Sequence, residues 1–324
     1  MTAESLKSGS RLERVLRAGH FAVTGELGPP QSADREHIVK KVAHLKGVVD
    51  AVNITDNQTA VVRMSSLGAS VIAVQEGLEP VMQMTCRDRN RLAMQADYLS
   101  AYALGVRNLL ALTGDHQSFG NHPTAKNVHD LDSLQQVRMM RDLRDLRKFQ
   151  CGDPVKGQEP RFFIGAAAAP EAHPLEWRPY RLAKKADAGA DFVQTQLVYN
   201  VPAFRRFMEE ARRLRVHEQL SILVGVGPLK GPVMARYMRD FVPGVTMPEH
   251  VIERLEAAAR GLPPEEKEAR QKAWRDEGIR MCIELIQELR EIEGVAGVHV
   301  MAIEWEEAVR PIVEGAGLLP RPEV

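Results

Sequence analysis

The feature that most constrains the fold of this 324-residue chain is a repeated alternation of short apolar runs with amphipathic segments. Each run is rich in β-branched or other apolar residues, and a polar turn separates it from a segment with the 3.6-residue period of a helix. This alternation is typical of parallel strands joined by helical crossovers. Eight such runs predict strands over residues 21–27, 50–56, 79–86, 108–115, 162–169, 192–198, 221–229 and 297–303.

The segments between the runs predict helices, and several of these end at a glycine, as helices often do. The clearest helical segments are 34–46, 90–104, 131–148, 177–188 and 202–214, and glycines 77, 105 and 189 stand at such ends. Eight strands with at least seven crossovers favour a closed (β/α)8 TIM barrel over an open doubly wound sheet. An open sheet would also be expected to carry a GxGxxG fingerprint, which the sequence lacks.

Two segments interrupt this rhythm, and neither requires a second domain. Residues 114–127 form a polar loop after the fourth strand, where barrels often place ligand-binding residues. Residues 242–296 precede the last strand and are mostly helical in pattern. We therefore expect residues 1–324 to form one α/β barrel domain in which 242–296 are a helical insertion.

Charge and cysteine content exclude several classes of protein. Lys plus Arg and Asp plus Glu both total 43, so no net charge favours nucleic acid or an anionic membrane as the main partner. The three cysteines are far apart and form no CxxC pair, which fits a reducing, cytoplasmic compartment. No stretch of eighteen apolar residues occurs, and the first 21 residues do not have the pattern of a signal peptide.

Polar residues finish several otherwise apolar strands, and in a barrel such residues meet at one mouth. We expect a cluster there of Glu26, Thr55, Asp56, Asn57, Thr85, Arg87, Asp88, Asp115, Glu171, His173, Gln196 and Glu304. Glu26 is the first candidate for a general acid, because burial on an apolar strand disfavours the charged form of a carboxyl group. An ordinary salt-bridged carboxylate is the alternative for Glu26.

The other candidates have equally ordinary alternatives. Asp115 could cap the turn that follows it, and the histidines at 116, 122, 129 and 173 lack the tight spacing of a metal site, so we predict no metal. Cys86 fits a buried, inert thiol. Arg181, Lys184 and Lys185 could reach a cofactor phosphate or simply be solvated. From these residues alone, the chain is a barrel enzyme with acidic, polar strand ends.

The same strand ends, taken in order, resemble the methylenetetrahydrofolate reductase family. The matching pieces span most of residues 20–230 in barrel order. They are GELGPP (25–30), NITDN (53–57), QMTCRDRN (83–90), LALTGD (110–115), APEAHP (169–174), KKADAGADFVQTQLVYN (184–200) and VGVGPL (224–229). Each piece is weak alone, but the ordered set is specific.

The resemblance implies a flavin enzyme that interconverts 5,10-methylene- and 5-methyltetrahydrofolate, with FAD as the expected cofactor and FMN as the alternative. In this family the residue at Glu26 helps to protonate the folate, the residue at Asp115 lies near flavin and pterin, and the one at Gln196 contacts the folate. Glu26 and Asp115 are therefore the expected catalytic residues, and both are expected to bind substrate with Gln196. The implied flavin contacts are Thr55, Asp56, Gln83, Thr85, Thr113, Gly114, Asp115, His129, Ala169, Arg181, Lys184 and Lys185.

The sequence also departs from the family pattern. Gln83 replaces a frequent His, Ala169 replaces a Tyr, no Phe follows strand seven near Pro232, and Glu304 with Trp305 replaces an Arg-containing turn. This variant resembles the branch found in acetogenic bacteria, in which a small partner protein can deliver electrons. We therefore expect that the chain does not take hydride directly from NADH. NADH, NADPH and a protein donor all stay open, as does an oligomeric state.

Two other functions compete with this interpretation. A barrel lyase or aldolase would use a Lys Schiff base or a metal, but no predicted strand ends in an inward Lys. A scaffold subunit of an electron-transfer complex would explain the missing contacts. It would not explain a costly inward carboxylate at Glu26.

Overall fold

Eight parallel strands close into one barrel in the order β1 to β8, so the predicted (β/α)8 TIM barrel is confirmed. The computed structural model describes residues 6–324. The strands are β1 (Ala22–Leu27), β2 (Ala51–Ile54), β3 (Pro80–Thr85), β4 (Asn108–Leu112), β5 (Phe163–Ala168), β6 (Phe192–Leu197), β7 (Ser221–Val226) and β8 (Val295–Val300). Most of them end one to three residues before the predicted limit, because the last residues of the predicted runs already belong to the loops of the mouth.

Helices cover the outside of the barrel and fill the crossovers. They are α1 (Arg11–Arg17), α2 (Arg35–Leu45), α3 (Ser66–Gln75), α4 (Arg91–Ala103), α5 (Ser133–Arg141), α6 (Arg178–Ala188), α7 (Val201–Arg213), α8 (Pro232–Phe241), α9 (Glu249–Ala258), α10 (Lys267–Arg290) and α11 (Val309–Gly315). Side chains such as Asp34, Asn90 and Asp132 cap free N–H groups at the helix starts. The helix predicted over 131–148 ends at Arg141 and continues as a π-helical turn, Asp142–Leu146.

Residues 242–296 contain α9 and the 24-residue helix α10. Helix α10 lies close to the turn after β7, because Gly278 faces the carbonyl of Leu229 without a side chain between them. An apolar cluster that includes Leu229, Met238 and Leu255 joins α8 and α9 to this side of the barrel. The insertion thus packs beside the strand ends instead of standing apart.

The interior of the barrel is built in layers. Helix α1 closes the N-terminal end with Leu12 and Val15, which pack against a floor of strand residues that includes Phe163 and Phe192. The rings of Phe163 and Phe192 stack with centroids 5.1 Å apart. Polar strand residues lie between this apolar floor and the C-terminal ends of the strands. The polar lining of the barrel mouth therefore extends into the buried interior.

Within residues 6–324, no helix combines the length and the apolar character needed to cross a membrane.

We predict that Gly278→Ala destabilises the protein, because the added methyl group would lie 1.9 Å from the Leu229 carbonyl oxygen. Overpacking of this kind costs roughly 1–3 kcal/mol, so the free energy of unfolding should fall by about 2 kcal/mol in a urea titration. Gly68→Ala in α3 is the matched control, since its nearest neighbour would be the Ser65 hydroxyl at 3.3 Å. Equal stability of the two variants would contradict the close packing of α10.

Candidate active site

A cavity of about 370 Å³ opens at the C-terminal ends of the strands. The predicted site residues on its walls are Glu26, Gln83, Thr113, Ala169, Arg181, Lys185 and Gln196. The first strand and the sixth therefore direct Glu26 and Gln196 into the same space. This position is the one that active sites of such barrels occupy.

Glu26 is largely buried, with 15% of its side chain exposed, and no lysine or arginine of residues 6–324 forms a salt bridge with it. Its nearest partner is His299 of β8, whose Nε2 lies 3.5 Å from Glu26 Oε2. Among the residues that the structure describes, none donates a hydrogen bond of ordinary geometry to this carboxyl group, and the contact with His299 is the one polar contact it makes. The arrangement suits an acid that must exchange its proton with a ligand.

A buried polar layer lies directly below Glu26. His299 Nδ1 is 3.0 Å from the Thr24 hydroxyl, and the Gln194 side-chain amide donates to that hydroxyl at 2.9 Å. Gln194 and Asn53 then exchange two amide hydrogen bonds, of 2.9 and 2.6 Å. Thr24, Asn53, Gln194 and His299 are each at most 3% exposed, so this layer replaces the water that such groups would otherwise bind.

Gln196 reaches the cavity through an irregularity in β6. The pairing of β6 with β7 shifts register between Gln194 and Leu197. Bulges of this kind redirect a side chain and are frequent beside active sites. The Gln196 side-chain oxygen accepts a bond from the backbone N–H of Leu197 at 3.0 Å, which leaves its amide NH₂ group to donate toward a ligand.

Three cations of α6 form the opposite wall of the cavity. Arg178, Arg181 and Lys185 are spaced so that they share one face of the helix, and all three line the cavity. Arg178 donates to the carbonyls of Ala172, at 2.6 Å, and His173. Within the described part of the chain, no carboxylate forms a salt bridge with these three side chains, so the wall carries excess positive charge.

Lys185 is the most unusual member of this basic wall. It is 7% exposed, and its ammonium group donates to the carbonyl of Ala167. Burial, and then the charges of Arg181 and Arg178, lower the pKa of Lys185 to about 8. A bound anion would relieve this repulsion. Lys184, predicted together with Lys185, is instead exposed and lies over the Trp177 ring, 5.2 Å from its centroid.

Several predicted residues lie beside the cavity in a network that holds the loops after β2 and β3. Buried Asp56 accepts from the backbone N–H of Thr85 at 2.9 Å and from Arg89 at 2.8 Å. The Thr55 hydroxyl donates to Gln58 at 3.1 Å. The Thr85 hydroxyl donates to Asp56 at 3.1 Å. These groups already have protein partners.

The loop after β4 carries the next predicted residues. Gly114 has φ +89°, and a side chain there would meet Thr85 at 3.0 Å, so this turn requires glycine. Asp115 is exposed and accepts from the backbone N–H of Thr59 at 3.1 Å. It does not cap the helical turn that follows, because His116 occupies that capping position. His129 is exposed, with φ 40°.

The remaining strand-end residues join these loops or stay apart from the cavity. Arg87 donates to Asp88 at 2.7 Å and to the carbonyls of Asn57 and Asp115 at 3.1 and 3.0 Å. Glu171 is buried in the loop after β5, where burial raises its pKa to about 7. Neither Glu171 nor His173 lines the cavity, and Glu304 pairs at 3.0 Å with Lys41.

The sequence interpretation missed Thr24, Asn53, Arg178, Gln194 and His299. A signal was present for two of them, because Thr24 and Gln194 precede Glu26 and Gln196 by two residues and therefore point into the barrel as well. His299 is a single polar residue in an apolar strand. Such a histidine usually suggests only a satisfied core residue.

Metal and thiol chemistry find little support in the described residues. In residues 6–324, no group of three or more His, Cys, Asp or Glu side chains is placed to hold a metal ion. Burial and the charge of Asp132 raise the pKa of Cys86 to about 12. The Cys86 thiol is therefore buried, as predicted, and almost entirely protonated at neutral pH.

The chain is similar to proteins of one known family. The family model for methylenetetrahydrofolate reductase matches residues 11–317. A probable methylenetetrahydrofolate reductase (NADPH) of Caenorhabditis elegans is 26% identical over 267 residues, which cover 81% of this chain and 36% of that protein. Methylenetetrahydrofolate reductase 2 of Saccharomyces cerevisiae is 29% identical over 273 residues, which cover 80% and 40%. The chain thus spans less than half the length of these relatives.

Among solved structures, a Clostridium thermocellum protein superposes with a TM-score of 0.57 at 14% sequence identity. The superposition covers 95% of this chain and 98% of that protein. That protein is described as binding two copies of 5-methyl-5,6,7,8-tetrahydrofolic acid. At this identity, the likeness supports the barrel fold.

We predict that Lys185→Met stabilises the unliganded protein at pH 7. A pKa of about 8 in the folded state, against 10.5 for an ordinary lysine, means that the charged form costs roughly 3 kcal/mol below pH 8. The unfolded chain binds more protons between these two values, so wild-type stability should rise from pH 8 to 10.5. Urea titrations at several pH values should show that Lys185→Met removes this rise.

Lys184→Met is the control for this prediction, because the side chain lies on the same helix but is exposed. Its free energy of unfolding should stay within about 0.5 kcal/mol of wild type at every pH. If the stability of Lys185→Met still rose from pH 8 to 10.5 as in the wild type, the rise would not come from Lys185. The lowered pKa that we assign to Lys185 would then be wrong.

Proposed function

Because the chain belongs to the methylenetetrahydrofolate reductase family, we propose that it interconverts 5,10-methylene- and 5-methyltetrahydrofolate with a flavin bound in the barrel mouth. The observation that supports this proposal best is the composition of the cavity wall. An acid without a cationic partner, Glu26, lies on one side, and the basic residues of α6 lie on the other. The Clostridium thermocellum neighbour described as binding a methylated folate has the same barrel.

The basic wall fits the phosphate part of a flavin. Arg181 has no carboxylate partner among the described residues, and Lys185 is buried near two arginines, so a phosphate would supply the missing negative charge. We propose that Arg181 and Lys185, assisted by Arg178, bind this phosphate. FAD is the proposed cofactor and FMN the alternative. The flavin, when bound, supplies or accepts the hydride.

The proposed contacts along the rest of the flavin combine two groups of residues. Gln83, Thr113 and Ala169 line the cavity itself. The others lie beside it, most of them on the loops of the mouth, with Thr85 at the end of β3 and Lys184 on α6, where they would contact the cofactor or shape its edge. They are Thr55, Asp56, Thr85, Gly114, Asp115, His129 and Lys184. Of these, Lys184 is directed to solvent beside Trp177, so its proposed contribution is the weakest.

The residues of the chain itself would handle the folate. Glu26 would give its proton to N10 of methylenetetrahydrofolate as the bond from N10 to the methylene carbon breaks and its electrons pass to N10. The methylene carbon would then form an iminium with N5, which is ready to accept hydride. Gln196 would donate its free NH₂ group to the pterin, and Asp115 would add negative charge near the ring. In the opposite direction, Glu26 would take the same proton back.

For the electron donor, we propose a small protein rather than NADH. The family pattern expects an aromatic residue at the turn after β7, and this chain has Pro232 there. Tyr237 and Trp274, which lie beside that turn, line a separate cavity of about 480 Å³. Rapid bleaching of the flavin by NADH in the isolated chain would overturn this part of the proposal.

For the location of the protein, we propose a reducing, cytoplasmic compartment, which the three free cysteines fit.

A lyase that uses a Schiff base is the second candidate, because Lys185 supplies a cavity lysine whose pKa is lowered to about 8. Reduction with borohydride in the presence of a carbonyl substrate would attach the substrate to Lys185 if this candidate were correct. We expect no such adduct. We expect yellow protein that releases a flavin on denaturation.

We predict that Glu26→Gln lowers kcat for dye-linked oxidation of 5-methyltetrahydrofolate by roughly 10²–10⁴-fold, as expected for loss of the group that acts as general base in this direction and as general acid in the reverse one. The visible spectrum of the bound flavin should not change, because the basic wall is intact. Glu36→Gln is the control, since Glu36 is exposed on α2 and should keep wild-type activity. A fully active Glu26→Gln enzyme would remove Glu26 from the mechanism.

We predict that Arg181→Met weakens flavin binding roughly 10–100-fold, because a charge-assisted hydrogen bond contributes about 1.5–3 kcal/mol. The measurement is a fluorescence titration of flavin-free protein with FAD and, in parallel, with FMN. Lys184→Met should bind the flavin almost as well as wild type. A wild-type protein that binds neither flavin and stays inert with both would overturn the proposed function.

A further inference from the structure

We propose that His299 is a positioning residue for Glu26 and determines which carboxyl oxygen of Glu26 carries the acidic proton. In this arrangement the neutral imidazole keeps its own proton on Nε2 and donates it to Glu26 Oε2. The proton of Glu26 is then confined to Oε1. This inference rests on the proposed role of Glu26 as the acid.

The first support is the isolation of the pair. His299 is 3% exposed, and its Nε2 is the nearest described partner of the Glu26 carboxyl group, at 3.5 Å. Both side chains line the same cavity, with Glu26 from β1 and His299 from β8. These strands are direct neighbours in the barrel. The contact is therefore fixed by strand pairing rather than by a loop.

The second support is the direction of the hydrogen bonds below His299. Gln194 uses both hydrogens of its side-chain amide, one toward Asn53 and one toward the Thr24 hydroxyl, and its oxygen accepts from Asn53. The Thr24 hydroxyl therefore accepts from Gln194, and its single hydrogen is free to donate. The imidazole Nδ1 is 3.0 Å away, whereas the competing carbonyl of Val298 is 3.5 Å away.

We assign the hydroxyl hydrogen of Thr24 to the shorter of its two contacts, which makes Nδ1 of His299 an acceptor. The opposite assignment, in which Thr24 donates to Val298 and accepts from Nδ1–H, would give the other tautomer. A neutral imidazole has one N–H group, so its proton must then be on Nε2, which faces Glu26. A protonated carboxyl group has one bare oxygen and one O–H group, and only the bare oxygen can accept from Nε2. The Asn53–Gln194–Thr24 layer thus sets the tautomer of His299, and His299 in turn sets the proton position of Glu26.

This arrangement also serves the proton transfer. As Glu26 gives the proton on Oε1 to the folate nitrogen, the carboxyl group becomes a carboxylate and its negative charge spreads over both oxygens. The Nε2–H group of His299 lies 3.5 Å from Oε2, so a small approach of the two groups would let it donate to that charge. His299 itself neither gains nor loses a proton in this step.

The direct test is the tautomer of His299 in the wild-type protein at neutral pH. The protein is labelled with ¹⁵N-histidine, and long-range ¹H–¹⁵N correlation spectra separate protonated from bare ring nitrogens. The His299 signals are those lost in His299→Gln. We expect a protonated Nε2 and a bare Nδ1. A ring protonated at Nδ1, or at both nitrogens, would overturn the proposal.

The kinetic test compares two replacements of His299. The amide nitrogen of Gln reaches the Nε2 position and can donate to Glu26, whereas the shorter Asn keeps only the side toward Thr24. We expect His299→Asn to lower kcat on the order of 100-fold at nearly unchanged KM for the folate, and His299→Gln to recover most of that loss. Equal activities for the two variants would contradict the positioning role.

Thr24→Val is the third variant, and it keeps the shape of the side chain while removing the hydroxyl. Without that donor, the Nε2–H tautomer should lose its preference, and the ¹⁵N spectrum should show a mixed or reversed population. If the tautomer of His299 were unchanged in Thr24→Val, the Thr24 hydroxyl would not be what determines it, and this part of the proposal would be wrong. The spectra do not require activity, so an inert, flavin-free wild type would overturn the proposed function and leave the tautomer to be decided separately.

Discussion

The cavity depends on the hydrogen bonds of a polar layer that lies inside an otherwise apolar barrel. Thr24, Asn53, Gln194 and His299 come from four different strands and are all buried. A buried polar group without a partner costs about 1–3 kcal/mol, so these four side chains stabilise the barrel only when they meet each other. Their mutual satisfaction restricts the relative positions of β1, β2, β6 and β8. The same restriction fixes where Glu26 and Gln196 enter the cavity, two residues further along their strands.

Charge is distributed unevenly around this cavity, and the unevenness works against stability. The acid of β1 has a histidine as its partner, while α6 places Lys185 near two arginines, and among the described residues no carboxylate forms a salt bridge with these three cations. A fold selected for stability alone would pair these cations or replace them with apolar side chains. The cations of α6 are therefore better explained by an anionic ligand bound at this wall. Ligand binding would then supply the stabilisation that the empty protein lacks.

The barrel and the convergence of Glu26 and Gln196 could be predicted from sequence, because alternation and strand order fix which ends of the strands meet. The finer placements could not. Spacing alone does not show that Lys185 is buried at the cavity and Lys184 is exposed to solvent, since their exposure depends on how α6 is rotated against the strands. His299 was missed for a related reason: its partners Thr24 and Gln194 lie 275 and 105 residues away in the sequence, and only barrel closure brings them together.

The motifs that resemble the family also combine two kinds of residue that sequence cannot separate. In QMTCRDRN, Gln83 lines the cavity, whereas Arg87 and Arg89 are held by Asp88 and Asp56 and tie the loops together. Gly114 is required by its backbone angle and by its contact with Thr85. Residues that hold loops in shape, such as Arg87, Arg89 and Gly114, would be needed in this barrel whatever ligand it bound. Their presence therefore does not identify the ligand. Glu26 is different, because its carboxyl group holds no loop in place. A carboxyl group that contributes nothing to the loops, yet lies largely buried in the cavity, is the arrangement that the proposed role of Glu26 as the acid requires.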